Sequence, residues 1–381
     1  MSPVDRRRDI RLLLINTAIF FALYNALLTV FPLFVVSRGG TEQQVGILVG
    51  LFSLSAVASR IYLTRIAEGR GRKWLLGVAV LTTITGPLLY LPDLGFWYLA
   101  LVRMYHAASL GAFMTASYTL LADYSDESNR GQLFGLYGVV SGVAMAIAPA
   151  LGYAVIDRLG YNAFLAGLAL VGLLMIPGHF LLREPQVQVE AEDPTSGLFQ
   201  EVLRNRWVLV SSFAVFLVTM ALGALTSFLP LHATSRGISE LGPYFAVFSL
   251  MYMAGGYGAG VLSDRWGRKI AAAPAFLFVV IGLVILTQLS GFPLLLVAGL
   301  FFGLGFGGLN TALMALVMDH TSLAQRSQAV SFYNNSFDLG SSGGAILLGG
   351  IAALSFGLLW TLLAGVSFLG FALICFALPR Q

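Results

Sequence analysis

The sequence predicts an all-α polytopic membrane protein with twelve transmembrane helices in two similar halves. Three observations carry this prediction. The 381-residue chain is 57% hydrophobic and 10% charged, against about 25% charged in soluble domains, so it has too few polar groups to clothe a water-soluble globule. Apolar runs of 18 residues or more recur along it, each long enough at about 1.5 Å per residue to cross about 30 Å of hydrocarbon. A polar stretch occurs twice, its second copy 196 positions after the first.

The runs lie near 12–36, 44–64, 74–92, 96–122, 131–155 and 160–182, then near 207–233, 241–262, 270–289, 292–318, 328–352 and 355–378. The first resembles the start of a signal peptide, because Arg6, Arg7, Arg8 and Arg11 precede it. Its apolar stretch of about 25 residues exceeds the 7–15 of a cleaved leader, so it reads as an uncleaved first span. Span 1 carries Phe20, Tyr24 and Asn25; its aromatic residues recur at helical spacing and, as a set, either line a cavity or pack. Span 4 is the most polar of the first six, with Arg103, His106 and Ser109. Span 5 contains Gly138, Gly142, Pro149 and Gly152, small residues that allow close approach and a proline that loosens the backbone ladder. Residues 183–206 read as a solvated linker with a surface helix near 197–206. Span 7 carries Met220, span 10 carries Asn310, and span 11 carries Tyr333, Asn334, Asn335 and Asp338. The halves are therefore 1–182 and 207–381.

Of 22 lysines and arginines, 17 fall at the termini or in the loops after spans 2, 4, 6, 8 and 10. Cationic loops stay inside, so both termini and the repeated motif are expected in the cytoplasm and the protein in the inner membrane. The net charge of +4 is then a topology signal and no nucleic-acid footprint. The lone Cys375 excludes an internal disulfide and a thiolate cluster.

Several motifs look chemical in isolation. Residues 303–308 fit G-x-G-x-x-G and residues 340–344 fit G-x-S-x-G, but both lie inside apolar spans, where the strand-to-helix contexts they need are missing. Close helix packing explains them better. His106, His179, His232 and His320 show no metal-ligand spacing. Neither an enzyme nor a cofactor or metal site is expected.

The repeat separates scaffold from chemistry. Glu68, Gly71 and Arg72 return as Asp264, Gly267 and Arg268, and Asp123 and Arg130 as Asp319 and Arg326. Three charges inside spans lack counterparts: Arg60 falls opposite Gly256, Arg103 opposite Gly299, and Asp338 opposite Gly142. Each costs at least about 3 kcal/mol at membrane depth, so they mark a cavity, a substrate pathway or a proton relay. Asp338 lies about 16 Å from the cytoplasmic edge and Arg103 about 12 Å from the outer edge. Asp338 is the expected proton carrier, with Arg60 or Arg103 as its partner and His106 one turn from Arg103.

The second copy of the motif, Gly260, Leu262, Asp264, Arg265, Gly267, Arg268 and Lys269, resembles the loop signature of the major facilitator superfamily of secondary transporters. The first copy departs, with Thr64 for Gly and Glu68 for Asp. Arg103, His106 and Gly111 resemble the span 4 segment of proton-linked exporters, with Ala107 in place of its glycine. Pro149 and Gly152 resemble the family's antiporter segment in span 5, with departures at Ala148 and Tyr153. The resemblance implies two six-helix bundles of inverted repeats, a cavity lined mainly by spans 1, 4, 7 and 10, and a cytoplasmic gate built on Glu68, Gly71, Arg72, Asp264, Gly267 and Arg268.

The function expected is alternating-access export of a small amphipathic compound in exchange for protons. Asp338, Arg103, Arg60 and His106 would couple protons, and Phe20, Tyr24, Asn25, Met220, Asn310 and Asn334 would line the cavity. An alternative keeps the fold and uses Arg103 and Arg60 to bind an anionic or lipid-like substrate, by uptake, uniport or flipping. The expected partners are a small molecule, protons and the lipid bilayer, with the protein acting as a monomer. A non-transporting sensor or membrane enzyme lacks both an output domain and a catalytic cluster.

Overall fold

The computed structural model describes residues 3–125, 130–184 and 201–377. Among these residues the chain is helical throughout: α1 (Pro3–Ser37), α2 (Glu42–Arg70), α3 (Arg72–Leu89), α4 (Phe96–Tyr124), α5 (Arg130–Gly172), α6 (Met175–Leu181), α7 (Arg206–Ser235), α8 (Gly242–Trp266), α9 (Arg268–Thr287), α10 (Phe292–Asp319), α11 (Leu323–Leu354) and α12 (Phe356–Ala377). Helices close every backbone hydrogen bond within one segment, as hydrocarbon demands. Residues 185–200 of the expected linker, and with them the first four residues of its surface helix, fall outside the described residues.

Nine of the described segments are long and apolar enough to cross a membrane. Expected spans 5 and 6 form a single stretch, Leu136–Leu181, broken where the backbone of α5 leaves helical geometry at Gly160. The expected spans at 74–92 and 96–122 are helices of lower apolar character. The reasons are local: α3 opens on Arg72 and Lys73, and α4 carries Arg103 and His106.

The chain divides into two compact units. The first comprises residues 1–40 and 51–189. Its core gathers Leu13 and Phe20 of α1, Leu75 and Ala79 of α3, Phe113 and Leu120 of α4, and Tyr137 of α5. Phe20 stacks on Phe113 with ring centroids 4.0 Å apart. The second unit comprises residues 41–50 and 190–381, so the first turns of α2 cluster there, with Gly46 and Gly50 against Ala345 and Ile346 of α11.

Within the second unit α10 packs on both α8 and α9 through glycines. A Cβ on Gly303 or Gly307 would strike the backbone of Phe248 or Tyr252, and one on Gly305 would strike Ala275. Gly340 and Gly344 of α11 lie equally close to Phe216 and Met220 of α7. Both glycine-rich motifs are thus contacts between helix backbones, where van der Waals packing replaces a hydrophobic drive.

The repeated polar stretch performs one structural job twice. Gly71 alone joins α2 to α3 at φ 87° and ψ 163°, and Gly267 alone joins α8 to α9 at φ 96° and ψ 153°. Residues with a Cβ scarcely enter this region, at about 1–3 kcal/mol. In the first unit Arg72 then pairs with Asp123 at the end of α4, and Lys73 donates to the Phe180 carbonyl at 2.9 Å. In the second, Arg268 pairs with Asp319 at 2.6 Å and also with Asp264, while Lys269 donates to the Cys375 carbonyl at 2.6 Å. A cation thus meets the carbonyl end of a helix in each unit. Glu184 strengthens the first copy by accepting hydrogen bonds from the backbone amides of Arg72 and Lys73. The side chain of Glu68 lies outside the described residues, as do those of Arg130 and Arg326.

Gly267→Ala should destabilise the protein by about 1–3 kcal/mol, whereas Gly258→Ala, whose new Cβ meets nothing within 4 Å, should be neutral or stabilising; thermal unfolding in detergent compares them. A double-mutant cycle should find stronger coupling between Arg72 and Asp123 than between Arg268 and Asp319. The first acid is 10% exposed and the second 45%, and exposed pairs rarely exceed about 1 kcal/mol.

Candidate functional site

Helix α4 buries a cation and an imidazole, Arg103 and His106. Arg103 is 1% exposed. Its guanidinium carbon lies 3.9 Å from the ring centroid of Phe31 on α1 and 4.2 Å from that of Phe52 on α2. The cation is therefore held between two aromatic faces, each worth up to about 2 kcal/mol when desolvated. No carboxylate among the described residues pairs with it. Its Nε and Nη2 atoms are buried without hydrogen-bond partners among the described residues.

His106, one turn further along α4, is 7% exposed. It packs edge-on to Phe52 at 6.0 Å and Tyr90 at 5.8 Å, and its Nδ1 has no hydrogen-bond partner among the described residues. Such buried polar atoms each cost about 1–3 kcal/mol. Several of them in one place, on the side of α4 that meets α1 and α2, form an arrangement that an anionic or hydrogen-bonding ligand would complete.

Two small pockets open onto these groups. One is lined by Tyr24, Leu27, Leu28, Phe52, Arg103 and His106. The other is lined by Phe20, Leu23, Tyr24, Thr83, His106 and Ser109 among others. Each holds about 10 Å³ of free space, room for about one water.

The structure thus brings together Phe20, Tyr24, Arg103 and His106 of the sequence-predicted set. Asn25 turns away and donates to the Phe21 carbonyl of its own helix at 2.8 Å. Arg60 is half-buried on α2 and lines neither pocket. Sequence reasoning missed Phe52 and Tyr90. An arginine at membrane depth signals that a partner must exist, and aromatic rings on other spans were an available answer beside an acid.

In the second unit Asn310 of α10 donates to the Tyr252 hydroxyl of α8 at 2.8 Å and accepts from Tyr333 of α11 at 3.5 Å. It ties three helices together. Asn334 is exposed, and Asp338, one turn later on the same face of α11, is half-buried. Met220 is half-buried on α7, its backbone against Gly344.

Comparison with known proteins identifies the family and the fold. The family profile described as Major Facilitator Superfamily matches residues 13–257 and 239–381. The inner membrane transport protein YajR of Escherichia coli (strain K12) is 24% identical over 328 residues, covering 82% of this chain and 70% of that protein. A probable sugar efflux transporter of Pasteurella multocida (strain Pm70) is 24% identical over 348 residues, covering 89% of this chain and 83% of its own. The solved structure of a bacterial homologue of the human lysosomal transporter Spinster, inward-facing and unoccupied, matches with a TM-score of 0.78 at 14% identity over 98% of both chains; this likeness establishes the fold. The protein is a multi-pass membrane transporter and not an enzyme, and the chain belongs to the major facilitator superfamily.

Proposed function

We propose that this transporter exports a small amphipathic organic compound in exchange for protons, by alternating access. The observation that carries the reading is the asymmetry between the halves. Repeat-related positions hold Asp338 against Gly142 and Arg103 against Gly299, so charge is placed at membrane depth where the scaffold needs only glycine. Asp338 takes up and releases the proton. Asn334 shares its helix face, and Phe20, Tyr24 and His106 bind the apolar and polar parts of the substrate. Export is supported by the name of the Pasteurella relative. The excess of cations on one set of loops supports cytoplasmic termini and an inner-membrane location, in which the protein acts as a monomer. The ion-paired turns at Gly71 and Gly267 form the cytoplasmic gate.

One observation favours an anionic substrate group. Arg103 has buried donors left over after both aromatic contacts are made, and a carboxylate or phosphate would use them in a charge-assisted bond.

Proteoliposomes under an imposed pH gradient test the proton assignment. Wild type should discharge the gradient when an exported compound is supplied, and Asp338→Asn should not while retaining its fold. Equal discharge by both proteins would make Asp338 structural. Arg103→Gln should weaken binding of carboxylate compounds by about 1.5–3 kcal/mol, the value of a hydrogen bond to a charged group, and spare neutral ones. An equal loss for both classes would make Arg103 a packing element.

A further inference from the structure

The first unit carries a second hollow that the exchange of protons does not use. It is a groove of about 610 Å³, within the range of small-molecule sites. Ala18, Ala22 and Ala26 of α1 form its floor, and Ala148, Gly152 and Gly167 of α5 its sides. Spaced four residues apart, the three alanines place one stripe of missing side-chain volume along α1. Its rim is open: Val143, Ile147 and Leu151 are 45%, 53% and 61% exposed. All its lining residues are apolar, so it suits hydrocarbon.

What the groove leads to gives it a function. Leu23 and Leu168 line the groove and also line the pocket that contains Thr83, His106 and Ser109. That pocket shares Tyr24, Leu27 and His106 with the one that contains Arg103. The route from the open groove to the guanidinium is therefore closed first by two leucine side chains. Beyond them wait buried polar atoms without hydrogen-bond partners among the described residues, Thr83 Oγ1, His106 Nδ1, and Nε and Nη2 of Arg103.

We propose that the groove admits the substrate from the bilayer, and that the substrate is a single-chain amphiphilic anion. Its tail lies along the alanine stripe while its head passes Leu23 and Leu168 to reach His106 and Arg103. The inference rests on the reading that Arg103 binds an anionic group. Lipid tails are as apolar as the groove wall, so the tail gains little by entering and affinity comes from the head. The leucines keep water out of the route until a head group displaces them.

The test uses the full-length protein in nanodiscs with two probes, a twelve-carbon carboxylate bearing a diazirine on its tail and butyrate as a tail-less anion. Photolabelling should map to α1 and α5 beside the groove and compete with unlabelled dodecanoate. Gly167→Leu projects a side chain into the groove from a position whose Cβ meets nothing within 4 Å, so folding should survive. It should weaken the twelve-carbon probe about tenfold or more, because a head seated at Arg103 holds its tail in the groove where the new side chain overpacks it, and leave butyrate binding unchanged. Arg103→Gln should weaken both. If Arg103→Gln weakens both anions while Gly167→Leu affects neither, the head-group reading stands and the groove route is overturned. Groove labelling that neither Arg103→Gln nor Gly167→Leu alters means that the groove holds bulk lipid only, which also overturns it. If Arg103→Gln alters neither anion, the anion reading fails and the inference falls with it.

Discussion

Every polar group in this chain is placed against the cost of leaving water. Hydrocarbon accepts no hydrogen bonds, so the backbone closes its own as helices and the helices meet through small residues. That constraint explains the glycines of α10 and α11, which fit against the backbones of neighbouring helices. It also makes each buried charge informative, because nothing in the scaffold requires one. Arg103 shows how the cost is met: two aromatic faces hold the cation where no carboxylate among the described residues does. Cation–π contacts offset part of the penalty and leave N–H donors to spare, so the group remains able to bind.

The two motif copies show the opposite use of charge, at helix ends where water is near. Gly71 and Gly267 turn the chain in a single residue, and that turn delivers an arginine to the acid ending α4 or α10 and a lysine to a carbonyl end. Pairs of this kind are individually weak where exposed.

Much of the fold was legible because its signals are local. Apolar length gives helices, and a repeat at a fixed offset gives two similar halves. Repeated glycines proved to be positions of positive φ, and the motif arginines Arg72 and Arg268 proved to be ion-paired with Asp123 and Asp319; the common offset marks these residues as equivalent between the halves and leaves that contact unread. The site was legible only in part. Arg103 and His106 stood out as polarity out of place, but their surroundings, Phe31, Phe52 and Tyr90, come from α1, α2 and the turn after α3, and no spacing along the chain reveals such contacts. Asn25 looked like a cavity group and instead satisfies itself on its own helix, the usual recourse of a short polar side chain among apolar neighbours. The groove along α1 was invisible for a different reason: alanine and glycine read as packing residues, and only the fold shows where packing stops.

The account depends on one linkage, that loading the exported compound displaces a proton held at Asp338. Proton release on ligand addition, followed with the purified protein in weakly buffered detergent, measures it directly. The account predicts release from wild type on binding and none from Asp338→Asn. Ligand binding by wild type with no proton released across the pH range where transport occurs would contradict it.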